Sequence, residues 1–126
     1  MNTPINTKNA PAPIGPYNQS VLAGNTLYIS GQIAINPADG ELVIDTITLE
    51  TKQVLENLKA ILEEADFSLN QVVKTTIFLS DMDYFTTVNE IYASYFENEM
   101  APSRECVAVK TLPKGVNVEI SAIAVR

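Results

Sequence analysis

The amino-acid sequence predicts an α+β protein in which a mixed β-sheet carries two helices packed on one face. Apolar residues recur at helical spacing in residues 48–65 and again in residues 85–97. The segments before, between and after these two are rich in β-branched and aromatic residues, which favour strands. The resulting order is β-β-α-β-α-β-β, in one domain that spans residues 1–126. A sheet of this kind leaves its second face uncovered.

The composition excludes several classes of protein. Apolar residues make up 46% of the chain and charged residues 18%, which is typical of a globular protein. The net charge is −7 and no basic run occurs, so we expect no nucleic-acid partner. No stretch approaches the roughly 18 consecutive apolar residues of a membrane span. Residues 1–13 lack the apolar core of a secretory signal, so a cytoplasmic protein without a membrane partner is expected.

The amino-terminal segment should form an arm followed by a strand pair. Residues 9–17 contain three prolines and a glycine, which predicts an extended arm instead of a helix. Residues 19–22 and 27–30 are predicted to pair as strands around a turn at Gly24-Asn25.

The middle of the chain predicts a loop, a helix and a strand. Residues 36–40 (Asn-Pro-Ala-Asp-Gly) are a loop, and residues 48–65 form the first helix, with Thr48 as its predicted N-cap. Its apolar face consists of Val54, Leu58, Ile61, Leu62 and Ala65. Residues 71–79 are predicted to be a strand buried on one face.

The carboxy-terminal part predicts a second helix and two strands. The helix spans residues 85–97, and the strands span residues 104–110 and 116–125. The apolar face of the helix consists of Val88, Ile91, Tyr92, Tyr95 and Phe96.

We expect the last two strands to pair as an antiparallel hairpin. Burying their apolar residues together places Arg104, Cys106 and Glu119 on the opposite face. The residues assigned to the buried face are Val107, Val109, Val116, Val118 and Ile120. The mixed polar and apolar character of the other face suits a subunit interface with a pocket. The alternative is a solvent-exposed Arg–Glu pair worth less than about 1 kcal/mol.

Two absences from the sequence limit the chemistry of any active site. There is no histidine, the usual general base and the commonest zinc ligand. The one cysteine, Cys106, cannot form an intrachain disulfide or a thiolate metal cluster. A catalyst in this chain must use carboxylates, Tyr, Lys, Arg, hydroxyls, backbone groups or water.

Seven short motifs follow one another along the chain. They are Ile-Gly-Pro-Tyr at 14–17, Ser-Gly-Gln at 30–32, Val-Asn at 88–89 followed by Tyr92, Pro-Ser-Arg-Glu-Cys-Val at 102–107, Leu-Pro at 112–113, Val-Glu-Ile at 118–120 and Ala-Ile-Ala-Val-Arg at 122–126. Together, in this order and in a chain of this length, they resemble the RidA family of reactive-intermediate deaminases. One motif alone would be a weak signal.

The resemblance implies an architecture and an activity. The family fold is a chorismate-mutase-like α+β sandwich, and its members are homotrimers around a central barrel-like core, with pockets between neighbouring subunits. The implied reaction is hydrolysis of 2-iminopropanoate and 2-iminobutanoate, and of the corresponding enamines, to 2-oxo acids and ammonia. The ligand would be a small 2-imino or 2-oxo acid, the enzyme would need no metal or organic cofactor, and its role would be damage control in amino-acid metabolism.

The resemblance also implies roles for individual residues. Arg104 matches the arginine that binds the substrate carboxylate, and Glu119 matches the carboxylate that positions or activates water. The matched pocket-lining, substrate-binding positions are Tyr17, Ser30, Asn89 and Cys106. One departure is Ser103, since the family more often has alanine before the arginine.

Simpler interpretations remain open for several of these residues. Glu119 could serve only to hold Arg104, Tyr17 could merely pack the arm, and Ser30 could only stabilise a turn. The whole protein could instead be a non-catalytic, carboxylate-binding regulator or a chaperone-like protein. RNA cleavage is disfavoured by the acidic charge and the absence of histidine.

Overall fold

Six strands form one sheet in the computed structural model, which describes residues 1–96 and 99–126, and both helices pack on one face of that sheet. The helices are α1 (Ile47–Glu64) and α2 (Phe85–Ala93). The strands are β1 (Thr3–Ile5), β2 (Ser20–Ala23), β3 (Thr26–Gln32), β4 (Val72–Leu79), β5 (Ser103–Ala108) and β6 (Val118–Val125), in the order β1-β2-β3-β6-β4-β5. The predicted α+β class and helix placement are confirmed.

The core lies between the sheet and the helices, as the amphipathic helix patterns predict. The Thr75 hydroxyl of β4 shares a 2.7 Å hydrogen bond with the Tyr92 hydroxyl of α2, which ties the second helix to the sheet. Fully or almost fully buried residues of the sheet and α1 that pack here are Ile77, Leu79, Val118, Ile120, Val54, Leu58 and Ile61.

The connections between elements explain the strand order. Helix α2 leads the chain from the end of β4 back to the side of the sheet where β4 begins. Strand β5 therefore runs parallel to β4 as its neighbour. Strand β6 runs antiparallel between β3 and β4. The expected hairpin of the last two strands is therefore wrong, since β4 separates them. The chain crosses the end of β4 between β5 and β6 through a turn in which Lys114 and Gly115 have φ of 56° and 68°.

The N-cap of helix α1 lies two residues earlier than predicted. Thr46, not Thr48, is the N-cap, and its side-chain oxygen accepts a 3.1 Å hydrogen bond from the Leu49 N–H. Either threonine could accept this capping hydrogen bond. Thr48 does not, because it lies inside the helix, whose first residue is Ile47. The helix ends at Glu64, close to the predicted end.

Helix α2 is shorter than predicted. It ends at Ala93, and the hydroxyl of the following Ser94 donates a 2.5 Å hydrogen bond to the Ile91 carbonyl. The predicted carboxy-terminal end, Glu97, lies outside the described residues.

The amino-terminal predictions are largely confirmed. Strands β2 and β3 pair around a turn in which Gly24 has φ of 62°, and residues 36–40 form a loop. Strand β1 was not predicted; its three residues include Pro4 and pair with β2 at the sheet edge, where a proline is tolerated. Within the described residues, neither helix is long and apolar enough to cross a membrane.

Candidate active site

Arg104 and Glu119 project from opposite faces of the sheet. Thr75 of β4 pairs with Arg104 on one side and with Ala122 on the other, and paired residues point to the same face. Ala122 is buried beneath the helices, so Arg104 lies on the helix-bearing face, on edge strand β5. Glu119 pairs with Phe78, three residues further along β4, and lies on the open face.

The expectation that Arg104, Cys106 and Glu119 share one face is therefore wrong for Glu119. Cys106 remains with Arg104, because it pairs with Ile77 of the helix-bearing face. Val107 and Glu119 both pair with Phe78 of β4, so these two residues share the open face and Arg104 and Cys106 point to the other one. Val107, which was expected to be buried, points to the open face and is 45% exposed.

A cavity of about 480 Å³ lies beside Glu119. Its polar wall includes Glu119, Tyr17 and Ser30, three of the residues singled out in the sequence. Its apolar wall includes Ile14, Ile33, Ile35 and Pro113. The remaining predicted site residues, Arg104, Asn89 and Cys106, do not line it.

Gln19 holds the proline-rich arm in place as one wall of the cavity. The side chain is almost completely buried. Its Oε1 accepts a 2.6 Å hydrogen bond from the Thr7 N–H, and its Nε2 donates to the carbonyls of Ala10 and Pro11 at 3.2 and 2.8 Å. A buried amide with all its partners orders the arm that the sequence predicts to be extended.

Ser30 supports the same wall from strand β3. Its hydroxyl donates a 2.7 Å hydrogen bond to the Asn18 carbonyl, and its N–H donates to the Gln19 carbonyl at 2.9 Å. These bonds fix the chain next to Tyr17, whose side chain is 48% exposed on the cavity wall. Ser30 thus has a structural role as well as a place in the lining.

The carboxyl group of Glu119 is half-buried and is not engaged by another group. Among residues 1–96 and 99–126, no side chain or backbone group forms a hydrogen bond or ion pair with it. Burial raises the pKa of this carboxyl above its ordinary value. An uncommitted carboxylate with a raised pKa on a cavity wall is suited to accept a proton from a bound water.

The guanidinium of Arg104 is oriented by residues of helix α2. Its Nη1 donates a 2.8 Å hydrogen bond to Asn89 Oδ1. Its Cζ lies 4.8 Å from the ring centroid of Tyr92 and 5.7 Å from that of Phe85. Its other N–H groups have no hydrogen-bond partner within the described part of the chain, so one planar edge remains available for an anion.

Cys106 lies beside Arg104 but lacks the environment of a nucleophile. Burial raises the pKa of its thiol, and the nearby positive charge of Arg104 offsets this only partly. A thiol with a raised pKa is mostly protonated at neutral pH and is a poor nucleophile. The position therefore suits a lining or packing role.

The predicted site residues thus form two groups in one chain. The cavity group is Tyr17, Ser30 and Glu119, and the cation group is Arg104, Asn89 and Cys106. Neither group has both a cation for a carboxylate ligand and a free carboxylate for proton transfer. Within the described residues of one chain, the two groups therefore do not form a single site.

The open face of the sheet carries a cluster of exposed apolar side chains. Tyr28 is 51% and Val107 45% exposed, and Phe78 and Ile123 are only partly buried on the same face. Exposed apolar groups in a cluster mark association surfaces. Glu119 lies within this cluster.

Two features of the site were missed in the sequence. Gly31 lies against the Glu119 carboxyl, and buried Glu50 anchors the chain just before Glu119. The position of Glu50 four residues before Val54 places it on the buried stripe of α1, which is a signal that the pattern contained. Gly31 had no comparable signal, because its role depends on the neighbouring strand.

Residues 7–126 match the sequence model of the family described as endoribonuclease L-PSP. The chain is 55% identical to a RutC family protein of Pyrococcus horikoshii over 98% of both proteins. It is 50% identical to the 2-iminobutanoate/2-iminopropanoate deaminase of Mus musculus, covering 97% of this chain and 90% of that protein. The crystal structure of a Rid family protein from Yersinia pestis has a TM-score of 0.97 and 46% identity to this chain, over 100% of both.

Proposed function

The chain belongs to the RidA family of reactive-intermediate deaminases, within the family described as endoribonuclease L-PSP, and we propose that it hydrolyses 2-iminobutanoate and 2-iminopropanoate to 2-oxo acids and ammonia. The proposal rests above all on the uncommitted carboxyl of Glu119 at the wall of a cavity, in a chain that resembles a deaminase over nearly its full length. The reaction requires no redox step, so a carboxylate, a cation and water suffice for it.

We propose that two neighbouring subunits of a homotrimer build each active site. The cavity group of one subunit would meet the cation group of the next, across an interface that covers the open sheet face. A three-fold ring has heterologous interfaces, in which two different surfaces of the chain meet. Such an interface can bring together Arg104 and Glu119, which one chain holds on opposite faces.

In this site Arg104 would bind the substrate carboxylate. A planar guanidinium and a planar carboxylate form two parallel charge-assisted hydrogen bonds, each worth about 1.5–3 kcal/mol. Asn89 and the rings of Tyr92 and Phe85 hold the guanidinium and leave donors free for this purpose. The positive charge also offsets the repulsion between an anionic substrate and an acidic protein.

Glu119 would transfer the protons of the attacking water. As the water oxygen bonds to the C=N carbon, one proton passes to Glu119 and the C=N electron pair moves to nitrogen. Glu119 then donates that proton to the nitrogen. It next accepts the second proton of the water, now on the added hydroxyl group, and donates this proton to the nitrogen as well. The C–N bond breaks as the C=O bond forms, and ammonia leaves, so the carboxylate ends unchanged.

The other predicted residues would shape the pocket. Tyr17 and Ser30 form a wall on the Glu119 side, and Cys106 lines the Arg104 side without acting as a nucleophile. A cytosolic location and a role in metabolite damage control remain parts of this proposal. RNA cleavage, despite the description of the family model, is disfavoured by a net charge of −7 and the absence of histidine.

The function is tested by following 2-oxo acid release from an imine generated in place by an amino-acid oxidase or dehydratase. We expect the protein to accelerate release and Glu119→Gln to lower kcat about 100-fold with 2-oxobutanoate binding retained, because the amide cannot accept the proton. A protein that binds 2-oxobutanoate without accelerating release is a carboxylate sensor and not a deaminase. An unchanged rate for Glu119→Gln excludes the proton-transfer role.

The pH dependence follows from the same residue. Glu119 must be ionised to accept a proton, and its pKa is raised by burial above the ordinary value of 4.5. The enzymatic rate should therefore fall as the pH is lowered through a midpoint above 4.5. The acid limb should be absent from the residual activity of Glu119→Gln.

A further inference from the structure

The Glu119 side chain occupies the space that a side chain at residue 31 would need. A methyl group placed on Gly31 would lie 2.6 Å from Glu119 Oε2, 2.9 Å from its Cδ and 3.1 Å from its Cγ. Non-bonded heavy atoms are most stable at about 3.5–4.0 Å. The carboxyl group of Glu119 therefore lies directly over the backbone of Gly31.

The backbone conformation does not explain the glycine at this position. Gly24, Gly40 and Gly115 all have a left-handed φ, which favours glycine, and a methyl group on any of them would meet no atom within 4 Å. Gly31 differs from these three glycines in both respects. Its φ lies outside the left-handed region, and a methyl group on it would meet atoms of Glu119. What distinguishes it is the approach of Glu119.

An irregularity of the sheet brings the two residues together. Ile29 pairs with Ala122 and Gln32 with Ile120, so three steps along β3 correspond to two along β6. The extra residue is a β-bulge, a feature that redirects side chains and occurs often beside active sites. Gly31 lies within the bulge, next to the strand that carries Glu119.

No hydrogen bond within the described residues holds the Glu119 carboxyl, so packing must set its direction. The backbone of β3 is the surface against which it packs. Since the group is only half-buried, a side chain at residue 31 would turn it towards solvent.

We propose that Gly31 is a positioning residue for Glu119: its missing side chain and the bulge around it hold the carboxyl at the cavity wall in the orientation that proton transfer requires. This inference rests on the proposed function of Glu119. Gly31 also lines the cavity, and its proposed effect on the rate comes through the carboxyl that it accommodates.

The test is a double-mutant cycle on the full-length protein. Gly31→Ala should lower kcat about 10- to 100-fold, with melting temperature and oligomer size retained, because alanine suits the backbone conformation at this position. In a Glu119→Ala background, where the carboxyl is gone and the methyl group has room, adding Gly31→Ala should change the residual rate less than about twofold. A Gly31→Ala loss that persists in that background would overturn the proposal, since the methyl group would then obstruct the substrate instead of Glu119.

A second measurement does not depend on turnover. NMR titration of the Glu119 carboxyl should show that Gly31→Ala lowers its pKa towards the ordinary value, because the displaced group becomes exposed. An unaltered titration would overturn the positioning role. If wild type fails to hydrolyse imines while this shift is observed, the proposed function is lost, and Gly31 still sets the position of the Glu119 carboxyl.

Discussion

Arg104→Ala should lower kcat/KM for 2-imino acids about 10²- to 10⁴-fold, because the substrate carboxylate loses two charge-assisted hydrogen bonds of about 1.5–3 kcal/mol each. Arg104→Lys should recover only part of this loss. An ammonium supplies charge without the planar pair of donors, and it does not stack on Tyr92 as a guanidinium does. Both variants should remain folded, since the Arg104 side chain is exposed in the single chain.

The measurements are the rate of 2-oxo acid release, calorimetric binding of 2-oxobutanoate, and oligomer size. Arg126→Lys is a matched control, because it makes the same change at the other arginine of the chain, which packs on Phe67 and donates to the Ala65 carbonyl. It should leave kcat/KM within about twofold of wild type, because lysine keeps the positive charge and Arg126 does not line the cavity. Full turnover by a folded Arg104→Lys protein would rule out the paired hydrogen bonds.

The largest effect on stability is expected at Glu50. This carboxylate is completely buried in the first turn of α1. Its Oε2 accepts from the N–H groups of Asn117 and Val118 at 2.7 and 2.9 Å, and its Oε1 accepts from Asn117 Nδ2 at 3.0 Å. The group thereby anchors the start of β6, immediately before Glu119.

Glu50→Leu should lower the free energy of unfolding by about 4 kcal/mol or more, because one buried and two partly buried donors lose their acceptor at about 1–3 kcal/mol each. Glu50→Gln should cost much less, about 1–2 kcal/mol. Its carbonyl oxygen can accept from both backbone groups, and the Asn117 amide can flip to face the new amide, since its present partner Ser80 Oγ can also accept a hydrogen bond.

Urea unfolding at a fixed protein concentration measures these changes, with Glu64→Leu as the control on the exposed face of the same helix. The control should lie within about 0.5 kcal/mol of wild type. Equal losses for Glu50→Leu and Glu50→Gln would show that hydrogen-bond satisfaction is not what the buried carboxylate contributes.

The elements of the fold were largely predictable because periodicity is a local property. The spacing of Val54, Leu58 and Ile61 identifies α1, and the alternation of Val118 and Ile120 identifies the buried face of β6. Thr46 and Thr48 are equivalent as caps in the sequence, so the choice between them required the structure.

The strand order was not predictable in the same way. Alternation assigns faces within one strand, but the relation between two strands depends on what lies between them. The pairing of Thr75 with both Arg104 and Ala122 puts β4 between the last two strands and separates Arg104 from Glu119. The helix between β4 and β5 favours parallel pairing of those two strands, whereas the short connection between β5 and β6 favours an antiparallel hairpin. The structure has the parallel pair and not the hairpin.

Residues of a candidate site could be proposed from the sequence, but their arrangement could not. Tyr17, Ser30 and Glu119 do line one cavity, although they come from an arm and two strands. The role of Gly31 was not predictable, because a glycine in a strand has several explanations and only the position of the Glu119 side chain selects one.

In the proposed homotrimer, each active site combines Arg104 of one subunit with Glu119 of its neighbour. The most direct measurement is the activity of mixed trimers, obtained by co-expressing Arg104→Ala and Glu119→Ala chains with different affinity tags and purifying on both. In a ring of three, every mixed trimer contains one interface at which an intact Arg104 meets an intact Glu119, so it should regain about one third of the wild-type rate. Each variant alone should be nearly inactive, and mixed trimers no more active than the single variants would contradict a site shared between subunits.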